Sequence, residues 1–328
     1  MTRFKIDNNN ERLLQLKRKS NTELKVKANT YASLGCTYYN AAQFDTAIEY
    51  HQLHLEIAKE VEDKAREGAS YGNLGNAYQG LGEFKTAIKY HQRHLEIAKE
   101  VGDKAGEGRS YGNLGNAYQG LGEFKTAIKY HQRDLEIAKE VGDKAGEGKS
   151  YGNLGNAYFS LGQFKTAMEY HQRHLEIVKE VGDKAGEGGS YGNLGNAYRS
   201  LGEFKTAIEY HQRHLDIAKE AGDKAGDGTS YGNLGNAYRC LGVFKTAIKY
   251  HQRHLDIAKE VGDKAGEGTS YGNLGNAYQG LGEFKTAIKY HQRHLEIAKE
   301  VGDKAGEGGS YGNLGNAYLS LGEFKTAI

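Results

Sequence analysis

The sequence predicts an all-α solenoid built from antiparallel pairs of helices. Three observations lead to this prediction: a 40-residue unit recurs along the chain, its apolar residues are spaced by three and four, and its glycines stand at fixed places in each copy. The segment Tyr71–Ser110 begins again at Tyr111 and then after every 40 residues as far as Tyr271. An imperfect copy starts at Tyr31 and a truncated one at Tyr311. We therefore expect an array over residues 23–328, with seven complete units and part of an eighth, after a basic tail or partial helix over residues 1–22.

The second half of each unit predicts a long amphipathic helix. In the unit that starts at Tyr71, the residues spaced for one helix face run from Phe84 to Val101, and lysines fall on the opposite face. Gly102 is expected to end this helix, because glycine readily adopts the left-handed conformation that terminates helices. Asp103 is expected to cap the helix that follows.

The following helix is predicted over about Lys104–Gln119, with Tyr111 and Leu114 on its apolar face. Glycines within it each cost about 1 kcal/mol of helix propensity, so packing on neighbouring helices has to hold it. Gly106 and Gly108 predict an irregular first turn.

Composition excludes several classes of protein. No apolar run approaches the roughly 18 residues of a membrane span, and we expect neither direct membrane insertion nor a signal peptide. The cysteines, Cys36 and Cys240, occupy non-equivalent places in the unit, which favours free thiols and a reducing, cytoplasmic location. The net charge is only +2, so nothing indicates a nucleic-acid partner.

The unit resembles the tetratricopeptide repeat. Tyr71, Leu74-Gly75, Tyr78, Ala87 and Leu95 fall at the spacing of that signature. The chain departs from it at His91 and His94, and in lacking proline, so that the period is 40 residues. The resemblance implies a right-handed superhelix whose concave groove is lined by the first helix of each pair.

Three motifs resemble the repeat of the Pins family of G-protein-signalling modulators, which carry Leu-Gly-Asn repeats. They are Leu74-Gly75-Asn76, Ala87-Ile88-Lys89-Tyr90-His91 and Gly102-Asp103-Lys104. This resemblance implies binding of polarity and spindle-orientation proteins, with G-protein regulation belonging to a longer parent protein.

Pairs of asparagines mark the face opposite the apolar one. Asn73 and Asn76 are three residues apart, and the pair recurs in every later unit. A carboxamide both donates and accepts hydrogen bonds, so a row of them is suited to the backbone of an extended peptide, and Gly72 would let that backbone approach. The alternative is that the asparagines only bond neighbouring repeats. The candidates for the peptide groove are Asn76, Asn113, Asn116, Asn153, Asn156, Asn193, Asn196, Asn236 and Asn276.

Most differences between the copies collect at three positions on this same face. One position holds Arg109 and Lys149, and a second holds Phe159, Arg199 and Arg239. The third alternates among the small residues Gly80, Ser160 and Cys240. The four basic residues favour acidic side chains on a partner and Phe159 an apolar one, whereas drift at exposed positions is the alternative.

The histidines raise other chemistry. His91 and His94 have a spacing usable by zinc, but they lie on the apolar face, and we expect buried histidines bonded to a tyrosine or a backbone carbonyl, without metal or cofactor. Asp134 replaces His94 in the next unit, which predicts an ion pair with His131 or His174, or a place at the rim. Protonation of packed histidines would loosen the stack near pH 6.

Catalytic signatures such as phosphate loops and nucleophile elbows are missing, and an active site does not need six or seven near-identical copies, so we expect no enzyme. The sequence predicts a scaffold that binds extended, partly acidic peptides, and we expect it to act in signal transduction. The alternatives are a sensor arm of a multidomain signalling protein, and an array that self-associates through its C-terminal end, where Phe324 and Ile328 would be exposed.

Overall fold

The computed structural model describes the backbone of residues 2–323 and the side chains of residues 20–323. Phe324 and Ile328, expected to be exposed, lie outside these residues. The described part is all-α, as predicted, and forms two compact units, Met1–Gly162 with α1 to α7 and Gln163–Ile328 with α8 to α15. The helices are α1 (Thr2–Asn40), α2 (Phe44–Glu60), α3 (Lys64–Gly80), α4 (Phe84–Val101), α5 (Lys104–Gly120), α6 (Phe124–Val141), α7 (Lys144–Ser160), α8 (Phe164–Glu180), α9 (Lys184–Ser200), α10 (Phe204–Ala221), α11 (Lys224–Cys240), α12 (Phe244–Val261), α13 (Lys264–Gly280), α14 (Phe284–Glu300) and α15 (Lys304–Leu321).

The helices begin and end at the predicted capping and terminating residues. Gly102 has φ 73° at the end of α4, which confirms it as the stop. Asp103 accepts a hydrogen bond from the backbone N–H of Gly106 through Oδ1, at 2.8 Å, which confirms the cap. The prediction of an irregular first turn was wrong, because this cap lets α5 begin at Lys104 despite its glycines. In the first repeat unit, Glu62 occupies the same left-handed conformation, with φ 54°.

Glycines on one face of α3 receive the side chains of α4. His91 lies over Gly75, His94 over Gly72 and Ile97 over Gly68. The numbers rise along α4 as they fall along α3, so the two helices are antiparallel. The ring of His94 lies close to Gly72, with Nδ1 at 3.0 Å from the position of an added β-carbon. Gly72 also lines one of the hollows described below, and the approach of a peptide backbone there stays a prediction.

The apolar core is a series of layers between consecutive helices. Ala47 and Ile48 of α2 pack with Leu74 and Ala77 of α3, and equivalent residues of α4 and α5 form the next layer. Leu74 is completely buried, and burying a leucine side chain contributes about 2 kcal/mol to the free energy of unfolding. Each layer depends only on adjacent helices, as expected of a repeat protein.

Tyrosine rings stack on one another and contact basic side chains. Tyr78 and Tyr90 stack at 5.1 Å between ring centroids, and the Arg93 guanidinium lies over Tyr71. Arg93 also pairs with Glu96 one turn along the same helix. Within the described residues, no helix is both long enough and apolar enough to cross a membrane. Cys36 and Cys240 are free thiols, as expected.

Candidate functional site

Two adjoining hollows in the unit Met1–Gly162 contain the predicted asparagines. The larger, here called the asparagine hollow, has a volume of about 520 Å³ and lies against α5, α6 and α7. The smaller, of about 430 Å³, lies against α3, α4 and α5 and shares Asn76, Arg109 and Asn113 with it. The structure therefore brings six candidates together in the asparagine hollow: Asn76, Asn113, Asn116, Asn153, Arg109 and Lys149.

Some of the asparagine amides bond neighbouring repeats, and others make no hydrogen bond within the described part of the chain. Asn113 donates from Nδ2 to Oδ1 of Asn76 at 3.2 Å, so this pair does join neighbouring repeats. The N–H groups of Asn76 and the carbonyl of Asn113 remain available. Asn116 is half-exposed and its amide makes no hydrogen bond to a described residue. Nδ2 of Asn153 is buried and lacks an acceptor in the described part of the chain.

Charges of both signs line the asparagine hollow. Arg109 lies 3.5 Å from Asp103, with both side chains largely exposed, and Lys149 is exposed. Of the acidic residues, Asp143 accepts a hydrogen bond from the backbone N–H of Gly146 at 2.9 Å and so caps α7. Asp134 is the second acidic group. The hollow is thus not purely basic, although both predicted basic residues reach it.

Asp134 projects from α6 into the asparagine hollow and is half-buried there. Its Oδ2 lies 2.7 Å from Oγ of Ser150, which lies 2.9 Å from the carbonyl of Gly146. Burial raises the pKa of the Asp134 carboxyl, and the Ser150 hydroxyl and the positive charge of Lys149 partly oppose this shift. The expected ion pair with His131 was wrong, since both nitrogens of that ring lack a partner among the described residues.

In five other units of the described part, the residue at the position of Asp134 is a histidine bonded to a serine. Nδ1 of His94 lies 2.9 Å from Oγ of Ser110, and that hydroxyl donates to the carbonyl of Gly106 at 2.8 Å. A hydroxyl has one proton, so His94 carries hydrogen on Nδ1 and donates to the serine. The expected tyrosine or carbonyl partner was therefore wrong. The same arrangement occurs in the pairs His54–Ser70, His174–Ser190, His254–Ser270 and His294–Ser310.

A second column of histidines is buried without hydrogen bonds. Neither ring nitrogen of His91 has a partner in the described part, and burial lowers the pKa of the ring to about 4. Hence His91 is neutral near pH 7. Over residues 20–323, no group of three or more histidine, cysteine or acidic side chains is arranged to hold a metal ion.

The remaining candidates lie outside the two hollows. Asn156 is exposed on α7 and Phe159 is half-exposed on the same helix. In the unit Gln163–Ile328, the others are half-exposed: Asn193, Asn196 and Arg199 on α9, Asn236 and Arg239 on α11, and Asn276 on α13. Nε of Arg199 is buried, and this arginine adds to the lowering of the pKa of His211, which burial mainly causes.

The third variable position is a helix contact. A β-carbon on Gly80 would meet the ring of Phe44 at 2.5 Å, and Gly120 stands in the same relation to Phe84. Glycine at this position therefore leaves room for an aromatic ring of the preceding pair, while the placement of the position on the ligand-facing side stays a prediction.

A broader hollow, of about 800 Å³, lies between α10 and α12 in the second unit. It is lined by tyrosines and basic residues, among them Tyr231, Tyr250, Tyr278, Lys249 and Arg253. It contains none of the predicted candidates.

Comparison with solved structures shows the same fold in several proteins. The apo form of the quorum sensor NprR from B. thuringiensis has a TM-score of 0.70 at 17% identity, covering 95% of this chain and 96% of its own. A Rap protein complexed with competence and sporulation factor has a TM-score of 0.59 at 15% identity, covering 93% and 99%. Aspartyl phosphate phosphatase F from Bacillus subtilis has a TM-score of 0.67 at 16% identity, covering 87% and 74%. A search of curated proteins found no match.

The sequence itself matches a tetratricopeptide repeat model over five stretches, residues 26–100, 65–140, 106–180, 187–260 and 266–328. These stretches include nearly all of the repeat array. Together with the helix pairs, they show that the chain belongs to the tetratricopeptide repeat family.

Proposed function

We propose that the chain is a protein-interaction scaffold that holds an extended segment of a partner protein against the asparagine hollow. The observation that carries this proposal is the lining of the hollow, where the unbonded amide of Asn116 and the side chain of Asn153 occur together with the exposed Arg109 and Lys149. Amides of this kind pair with a peptide backbone whatever its side chains.

The two hollows favour an extended ligand over a compact one. Because they share Asn76, Arg109 and Asn113, a chain lying in one continues into the other. The Rap protein with its bound factor has a similar fold, and at 15% identity it supports the fold class but not a particular ligand.

Acidic side chains of the partner would meet Arg109 and Lys149. The ion pair of Arg109 with Asp103 has side chains that are 63% and 45% exposed, and such a surface pair is worth at most about 1 kcal/mol. A partner carboxylate can therefore take the place of Asp103 at little cost. This supports the partly acidic ligand expected from the sequence.

The resemblance to the Pins family gives a narrower form of the proposal, in which the partner is a polarity or spindle-orientation protein and the setting is cytoplasmic signalling. In the Leu-Gly-Asn motif, Leu74 is core and Gly75 lies under His91, so only Asn76 reaches the hollow. The motif thus supports the repeat type more strongly than it does the partner.

Catalysis is not part of the proposal, although one structural neighbour is called a phosphatase. The Ser110–His94 pair has the composition of a nucleophile and its base. However, Ser110 is completely buried, and its proton is directed to the carbonyl of Gly106. The histidine donates to the hydroxyl instead of withdrawing its proton.

The test separates ligand binding from packing. A displayed library of random 12-residue peptides is selected on the full chain, and the binding of enriched peptides is measured by fluorescence anisotropy. The double variant Asn116→Ala/Asn153→Ala should bind at least about tenfold more weakly with an unchanged melting temperature. The matched control Asn113→Ala should lower the melting temperature, because it removes the bond to Asn76. Unchanged peptide binding by the double variant would overturn the proposal.

A further inference from the structure

Near-identical repeats create a problem of register for any extended ligand. The units that start at Tyr71 and Tyr271 differ at one position, Arg109 against Gly309, and every unit from Tyr71 onwards presents the same asparagine pair. A peptide held only by such amides would bind with similar affinity after sliding by one repeat. A unique position requires a side chain that the other units lack.

Asp134 is such a side chain. The other equivalent positions carry histidine: His54, His94, His174, His214, His254 and His294. Of the four charged residues in the asparagine hollow, Arg109 already pairs with Asp103, and Asp143 caps α7. Asp134 has no cation within 4.0 Å among the described residues, although Lys149 lines the same hollow and its charge favours the carboxylate from a greater distance.

The hydrogen bonding around Asp134 is also incomplete. Ser150 has one proton, and both Oδ2 of Asp134 and the carbonyl of Gly146 lie within hydrogen-bond distance of its oxygen. In the His94 unit the ring supplies the second proton. The aspartate leaves one acceptor short, in a half-buried place where an unpaired charge is unfavourable.

We propose that Asp134 binds a cationic side chain, lysine or arginine, of the peptide held in the asparagine hollow, and so fixes the register of that peptide. This inference rests on the proposed function and adds a basic residue to the acidic ligand. Acidic groups of the peptide meet Arg109 and Lys149 at the exposed edge, and its basic group enters beside Asp134. A cation beside Asp134 neutralises the carboxylate, and the Ser150 hydroxyl can then donate its proton to the carbonyl of Gly146.

The test compares the peptides selected from the same 12-residue library by the full chain and by three variants. The unmodified chain should enrich peptides with lysine or arginine at one fixed position. Asp134→His, which restores the residue of the other repeats, and Asp134→Asn, which keeps the shape but removes the charge, should lose that preference. The double variant His94→Asp/Asp134→His should recover it, because the acid is moved by one repeat.

A double-mutant cycle then measures the contact itself. Replacing the enriched lysine by methionine should weaken binding to the unmodified chain about tenfold and binding to Asp134→Asn hardly at all. An equal loss against both proteins would overturn the assignment of Asp134. Enriched peptides without a lysine or arginine at a fixed position would also overturn the assignment of Asp134. That result would leave the scaffold proposal intact. A library that yields no binders at all would overturn the scaffold proposal and this inference with it.

Discussion

The imidazole of His91 occupies the space that a β-carbon on Gly75 would fill, with the carbon Cε1 only 2.4 Å from that position. The ring is completely buried and its two nitrogens have no partner among the described residues. Similar contacts occur at Gly35, Gly115, Gly195, Gly235 and Gly275, each under a histidine. The glycines that weaken the first helix of each pair thus allow the second helix to pack closely.

Gly75→Ala should destabilise the protein by about 1–3 kcal/mol, because the methyl group overlaps a ring with no room to move. Ordinarily the same change in a helix is stabilising by up to about 1 kcal/mol. Gly189→Ala is the matched control, since nothing lies within 4 Å of its β-carbon position, and it should raise the urea midpoint. Equal effects of the two changes would contradict the close contact.

Stability should fall as the pH is lowered from 7.5 to 5.5. In the folded chain, burial lowers the pKa of His91 to about 4, against 6.5 for an unshifted ring, so the unfolded state takes up protons first. Stability is therefore complete above pH 6.5 and is lost progressively down to pH 4. At pH 5.5 each such histidine costs about 1.4 kcal/mol. The group comprises His51, His91, His131, His171, His211, His251 and His291.

Thermal melts across this pH range would measure the effect, and the NMR shifts of the ring Cε1 carbons would show which histidines titrate. Melting temperatures that stay constant between pH 5.5 and 7.5 would contradict the expected uptake of protons. The result would also decide the earlier expectation of loosening near pH 6.

Ser110→Ala should destabilise the chain by about 1–2 kcal/mol, because it leaves the Nδ1 proton of His94 buried without an acceptor. The chain contains its own control. Oγ of Ser230 and Nδ1 of His214 are buried and unpartnered among the described residues, so Ser230→Ala removes no bond and should cost less than about 0.5 kcal/mol. Differential scanning calorimetry of both variants tests the difference, and an equal loss would show that the serine–histidine bond contributes nothing.

Glu62→Gly should stabilise the first repeat unit by about 1 kcal/mol, since Glu62 has φ 54° where the next unit has Gly102. At the equivalent position of the next unit, Gly102→Ala should destabilise the protein by a similar amount. Amide hydrogen exchange in α2 and α3 would report the first effect locally. If Glu62→Gly slowed amide exchange in neither α2 nor α3, this reasoning would be contradicted.

Much of this architecture could be predicted from the sequence because it depends on local spacing. The face of each helix, the cap at Asp103 and the stop at Gly102 all involve residues within one turn of each other. The grouping of Asn76, Asn113 and Asn116 followed from helix periodicity combined with the 40-residue repeat.

Contacts across helices were not predictable in the same way. Periodicity places Gly72 and His94 on helix faces but does not give the distance between the two helices, so their close contact could not be predicted. The bond of His94 to Ser110 spans 16 residues and leaves no local pattern. Asp134 was recognised as an exception, but its serine partner became apparent only in the structure.

The serine that accepts from His94 is the last residue of the same 40-residue unit, but it lies in α5, the first helix of the following pair, and every complete copy has a serine at this position. Duplicating or deleting one unit of the gene would therefore regenerate identical contacts at the new junction. Such an array can lengthen or shorten by recombination without any compensating substitution, and a single variant residue such as Asp134 then serves as a landmark within it.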